Sequence, residues 1–159
     1  MKKTDIRGHI GNLKLLNLPK TAFLCSSKYS SKAVLKSYDW AKEQCKNERC
    51  IISGFHSVLE KDVLQILLKG NQPIIYVLAR GMLKKIPNNL KPAIEEERLL
   101  IVTPFDKSIV WTTRENAEIR NQLCIELAEN ITIAHLTPGG QLDRLLSLVP
   151  DKRVNILDK

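Results

Sequence analysis

Short apolar runs alternate with longer segments of helical period along this sequence, and that alternation narrows the fold more than any other feature. "AFLC" (Ala22 to Cys25), "CIIS" (Cys50 to Ser53), "PIIYVLA" (Pro73 to Ala79), "LLIVT" (Leu99 to Thr103) and "ITIAHL" (Ile131 to Leu136) read as buried strands. "PIIYVLA" is almost uniformly apolar, as expected of a parallel strand covered on both faces. Ser30 or Ser31 is placed to cap a helix with Ala33, Val34, Tyr38 and Ala41 on its inner side. Val58, Leu59, Val63, Ile66 and Leu67 recur at helical spacing up to Gly70, which is expected to end that helix in a left-handed conformation. Leu90, Ala93 and Ile94 suggest a brief helix. Thr112 or Thr113 opens a long one through Ala128, with Ala117, Leu123, Cys124 and Leu127 inward. A last helix carries Leu142, Leu145 and Leu146, and "RVNIL" (Arg153 to Leu157) is a candidate sixth strand.

Repeated β-α units predict an α/β protein: a Rossmann-like three-layer αβα sandwich with a mainly parallel sheet of five or six strands. Residues 21–159 form that single domain in this reading. Residues 1–20 lie outside the alternation, as an N-terminal arm or a short helix. At 159 residues, 43% hydrophobic and 26% charged, the chain is long enough to bury a sizeable core.

The charge points to a class of partner. Twenty-five Lys and Arg against 17 Asp and Glu leave a net +8. A basic surface gathers polyanions, because phosphate contacts release counterions. No run approaches the ~20 apolar residues that span a bilayer. Lys2 and Lys3 are followed by Asp5, Arg7 and His9 rather than by an apolar stretch, so no secretory leader and a cytoplasmic location are expected. Cys25, Cys45, Cys50 and Cys124 are then expected to be reduced. Cys45 and Cys50 have no second pair at zinc-like spacing, and neither a metal nor a cofactor is implied.

Ligands of an open parallel sheet bind beyond the carboxyl ends of its strands, where strand order reverses. The loops there supply the candidate residues. "CSSKYSS" offers Ser26 and Ser27 before a helix start, with Lys28 as a cation; an ordinary serine cap is the alternative. "SGFHS" offers Ser53, Gly54 and His56. Arg80 and Gly81 follow the third strand. "TPGG" brings Pro138, Gly139 and Gly140, whose backbone amides suit phosphate or sugar. Arg120 and Asn121 lie about two turns into the long helix, and Arg114 and Glu115 nearer its mouth. Arg suits phosphate through its planar donor fork, although Glu–Arg pairs on a solvated helix face are also common. A Walker loop and a GxGxxG run after the first strand are both absent.

In this order, "CSSKYSS", "CIISGFHSVLEKDVLQILL", "PIIYVLARGM" and "EIRNQLCIELAENITIAHLTPGG" resemble the DprA/Smf family of DNA-processing proteins, within the wider SLOG group of Rossmann-like domains. The resemblance covers roughly residues 20–148. That family's first motif is Gly-Ser-Arg, where Ser26 or Ser27 with Lys28 stands here. Its second is Ser-Gly-x-Ala-x-Gly-Ile-Asp; Ser53 and Gly54 match, while His56 and Val58 replace Ala and Gly. Gly81 supplies the glycine after the third strand. Arg120 and Asn121 match Arg-Asn-Arg, with Gln122 for the last Arg.

The resemblance implies binding of single-stranded DNA or a nucleotide phosphate, a homodimer, and a RecA-type recombinase as partner. A second branch of the group, the Lonely Guy phosphoribohydrolases, reads Pro-Gly-Gly-x-Gly-Thr-x-x-Glu. Pro138, Gly139 and Gly140 match its start, but Leu142, Asp143 and Leu146 stand at its Gly, Thr and catalytic Glu. A leucine cannot move a proton. The pattern therefore implies a binder, with cleavage of a nucleotide N-glycosidic bond or a nucleotide-sensing module as alternatives.

Overall fold

In the computed structural model, which describes residues 5–159, the alternation folds into one seven-stranded sheet. The strands are β1 (Gly8–Ile10), β2 (Lys20–Leu24), β3 (Cys50–Ser53), β4 (Ile74–Val77), β5 (Leu99–Thr103), β6 (Asn130–Ile133) and β7 (Arg153–Ile156). The helices are α1 (Ser31–Lys46), α2 (Val58–Leu68), α3 (Lys91–Glu95), α4 (Arg114–Leu127) and α5 (Gln141–Leu146), with a 3-10 turn at Leu13–Asn17. Strand order is β1-β5-β4-β3-β2-β6-β7. All neighbours run parallel except β1, which pairs antiparallel with β5.

The sheet has seven strands where five or six were expected, and the additional one is β1. Three residues are too few to show a period, and residue 10 is followed by Gly11 at φ 111°, which turns the chain into the 3-10 segment. Lys2 and Lys3 lie outside the described residues.

Alternate side chains of the strands enter two cores, as the two-residue period of a pleated strand requires. Ala22, Leu24, Ile52, Ile75 and Val102 face α4 and α5, represented by Leu123, Cys124, Leu142 and Leu145. Phe23, Ile51, Ile74 and Ile101 face α1, α2 and α3, through Trp40, Ala41, Val63, Leu67 and Ala93. Hence the three layers. Among the described residues, no helix is long and apolar enough to cross a membrane.

The helix starts are set by side-chain caps. Ser30 accepts from the Ala33 amide and Thr113 from the Asn116 amide, both at 3.0 Å. Ser57 and Glu60 form a reciprocal capping box on α2. Gly70 does not take the left-handed conformation expected of it; positive φ among glycines occurs at Gly11 and Gly139. It is required instead by a close approach, since a Cβ there would stand 2.8 Å from Cys45 Sγ and closer still to Gln72 Oε1.

Sheet topology fixes where a ligand can enter. From β2 the chain steps outward through β3, β4 and β5; α4 then carries it back to β6, on the other side of β2. Strand order therefore reverses between β2 and β6, and α4 packs across β2 and β3 on its way.

Candidate anion-binding cleft

A cleft of about 890 Å³ opens at this reversal. The loop after β2 lines it with Cys25, Ser26, Ser27 and Lys28, the loop after β3 with His56 and Ser57, and the first turn of α2 with Glu60. Thr112, the cap Thr113 and the first two turns of α4 as far as Asn121 form a wall, and Thr137, Gly140 and Arg144 close the far side.

Arg120 is the buried cation of the site. It is only 5% exposed, yet it lines the cleft. Its Nε donates to Asn121 Oδ1 at 2.8 Å, and Asn121 Nδ2 donates to Gln141 Oε1 at 2.9 Å, so the two motif residues of α4 hold one another. Among the described residues, no carboxylate pairs with the guanidinium. A buried guanidinium with no carboxylate in ion-pair contact is costly even with Glu60 on the same cleft lining, and an incoming anion would relieve that cost.

Gly54 makes this placement possible. The Arg120 side chain lies directly on it, and any Cβ at residue 54 would fall inside the guanidinium. Ser53 beneath is fully buried and accepts from the Phe55 amide at 3.2 Å. Phe55 is held at φ 44°, an unfavourable region for a bulky side chain. That bend sends its ring down into the core against Tyr76, with centroids 5.2 Å apart, and brings His56 and Ser57 up to the cleft. His56 itself is exposed.

Glu60 was not singled out by sequence, and the structure places it on the cleft lining at 6% exposure. Its Oε1 accepts from the amides of His56 at 3.1 Å and Ser57 at 2.9 Å. The capping-box spacing Ser57-x-x-Glu60 was the signal that could have found it. Burial pushes the Tyr76 hydroxyl up, with Arg120 pulling it down and Glu60 pushing it up. Burial likewise pushes the Cys25 thiol up to about 12, helped by Glu60. A thiol of that kind is a poor nucleophile.

The remaining expected residues separate. Ser26 Oγ accepts from the Thr137 amide at 3.0 Å and ties the loops after β2 and β6 together. Ser27 and Lys28 are exposed at the cleft lip. Gly140 lines the cleft, but its amide donates to Thr137 O at 3.0 Å; the Gly139 amide donates to Asp143 Oδ2 at 2.8 Å. The glycine pair is thus engaged within its own loop, in contrast to the expected free donors. Pro138 is exposed and outside the lining. Arg80 and Gly81 do not join the cleft either. The Gly81 amide donates to Ile109 O at 2.7 Å, and the Arg80 carbonyl accepts from the Thr103 hydroxyl, so both anchor the loop after β5.

No protein family matches the sequence, and no curated protein is significantly similar to it. Solved structures are. DNA processing protein A from Helicobacter pylori, described in terms of its single-stranded DNA binding mode, superposes with a TM-score of 0.71 at 20% identity, over 92% of this chain and 68% of that one. DNA processing protein A (DprA) from Streptococcus pneumoniae gives 0.71 at 18% identity, over 92% of this chain and 52% of that one. The fold is that of DprA. The molybdenum cofactor binding protein from Rippkaea orientalis is also similar, at a TM-score of 0.59 and 13% identity, over 86% and 74% of the two chains. On this DprA fold, the two fragments that carry the sequence resemblance meet in space: Gly54 forms the seat on which the Arg120 side chain rests.

Proposed function

We propose that this protein binds single-stranded DNA, or the phosphate of a nucleotide, in the cleft at the β2–β6 reversal. The observation that carries the proposal is Arg120: a guanidinium 95% withdrawn from solvent, facing the cleft, seated on a glycine and paired with no carboxylate among the described residues. Lys28 at the lip and a net charge of +8 favour a polyanion. The DprA likeness supports DNA as that polyanion and DNA processing as the setting. In this reading the protein acts as a homodimer with a RecA-type recombinase as partner, both drawn from the resemblance alone.

The test is fluorescence anisotropy of a labelled single-stranded oligonucleotide, titrated at low and moderate salt with a duplex competitor. Preferential single-strand binding that weakens steeply with salt is expected. Absence of oligonucleotide binding at low salt refutes the single-stranded DNA reading, and absence of binding to nucleoside monophosphates as well refutes the proposal. Glu60 favours a second reading, cleavage of a nucleotide N-glycosidic bond, because it places a carboxylate on the cleft lining. Release of free base from a nucleoside monophosphate, abolished in Glu60→Gln, would establish that reading in its place.

A further inference from the structure

The basic surface does not end at the cleft. Lys28 stands at the lip, and the first two turns of α1, which follow it directly, carry Lys32 and Lys36. Both are exposed, and neither forms an ion pair among the described residues. Residues four apart share a helix face and are separated by about 6 Å along the axis, close to one step of a nucleotide backbone. Leu35, 66% exposed, lies between the two lysines.

Local helix physics does not account for these lysines. A helix start is the positive end of its dipole and favours acids. Accordingly α2, α4 and α5 carry Glu60, Glu115 and Asp143 in their first turns, whereas α1 and the five-residue α3 carry none. The first turn of α1 has no acid of its own and carries Lys32; the carboxylate at its cap is Asp158, which accepts from Ser30 Oγ at 2.9 Å and is largely buried, whereas Lys32 and Lys36 are exposed. Further along the exposed surface the sign becomes mixed, with Asp39 and Glu43 among Lys42 and Lys46. The uniformly basic stretch is therefore short, and it begins where the cleft opens. Arg120, buried and without a carboxylate partner, is the independent sign that an anion occupies the inner end.

We infer that Lys28, Lys32 and Lys36 form a phosphate track that leads a single nucleic-acid strand out of the cleft and along the start of α1. The inference rests on the nucleic-acid reading of the cleft and extends it from a pocket to a path. It distinguishes a ligand that runs through the site from a lone nucleotide that ends in it.

The experiment compares a labelled trinucleotide with a 15-nucleotide oligothymidylate, for the unaltered protein, Lys32→Gln/Lys36→Gln and the control Lys42→Gln/Lys46→Gln. Both double variants remove two exposed lysines from the same helix. The track predicts that Lys32→Gln/Lys36→Gln weakens the 15-mer on the order of tenfold and reduces the salt slope by about 1.4, at about 0.7 per single-strand phosphate contact. Trinucleotide binding stays unchanged, and the control pair leaves both ligands nearly untouched. Equal losses from the two pairs would reduce the effect to general charge and overturn the track, as would unchanged 15-mer binding. Circular dichroism of each variant confirms that α1 is intact. If the unaltered protein binds neither ligand, the cleft reading itself fails, an outcome distinct from failure of the track alone.

Discussion

A single methyl group at residue 54 tests whether the seat beneath Arg120 sets the site. Gly54 has no positive φ, so alanine is free to adopt its backbone. The new Cβ, however, would overlap the guanidinium and Cδ of Arg120. Gly54 is itself buried, and Arg120 is 5% exposed, so the arginine must swing outward or the loop after β3 must lift. Overpacking of this kind costs about 1–3 kcal/mol. For a chain of 159 residues that lowers the melting temperature by roughly 2–12 °C. Ligand binding loses the charge-assisted contacts of a correctly placed guanidinium, about 1.5–3 kcal/mol, or roughly 10- to 150-fold in Kd. The assay is oligonucleotide anisotropy run as a double-mutant cycle. Gly54→Ala should weaken binding strongly in the native background and hardly at all when Arg120 is already alanine, because the two act through one interaction. Full additivity of the two losses, or native affinity in Gly54→Ala, would refute the reasoning.

Three further outcomes follow from other parts of the molecule. Asp158 accepts from Ser30 Oγ at 2.9 Å and lies 2.6 Å from His135 Nδ1; burial pushes its carboxyl up, but the hydrogen bonds from His135 and Ser30 outweigh this and the net shift is down. A carboxylate held below its unfolded value, ~3.9, stabilises the fold above that pH and loses the contribution as pH falls through the folded value. Asp158→Asn should therefore be less stable at neutral pH, by about 1–3 kcal/mol, and lose less on acidification below about pH 4; urea curves that stay parallel to the native ones across that range would contradict this. Gly70→Ala forces a Cβ against Cys45 and Gln72 and should cost about 1–3 kcal/mol in thermal unfolding while leaving oligonucleotide affinity unchanged. Trp111 is 79% exposed next to the cleft wall, whereas Trp40 is 8% exposed and stacked on Phe23, so oligonucleotide addition should shield only the Trp111 emission from acrylamide. Unaltered quenching at saturating oligonucleotide would place the ligand elsewhere.

The sequence made the frame of this protein legible because its signals are local. "CIIS" and "LLIVT" coincide with β3 and β5, and Ser30 and Thr113 cap the helices they precede. β1 was missed because its three residues are ordered by pairing with β5, not by a pattern of their own. The cleft was half legible. Motif fragments pointed to Gly54 and Arg120, but their contact bridges residues far apart in the chain, and only packing of α4 across β3 reveals why the glycine is needed. Arg80 and Gly81 lay after a parallel strand like the others, yet β4 sits away from the reversal, so their loop serves the β5 side instead. Gly139 and Gly140 could be recognised as a turn, whereas the engagement of their amides with Asp143 and Thr137 depends on tertiary geometry.

In the proposed function, Arg120 is buried for the sake of an anion and not for the fold. Arg120→Met keeps the apolar length of the side chain and removes a buried charge that no carboxylate contacts among the described residues. The most direct measurement is therefore single-strand oligonucleotide affinity of Arg120→Met beside Lys159→Ala, an exposed terminal lysine, with the melting temperature of each taken without ligand. Arg120→Met should lose binding by at least about tenfold and melt no lower than the native protein, while Lys159→Ala should change neither. Native affinity in Arg120→Met, or an equal loss in Lys159→Ala, would contradict that role of Arg120.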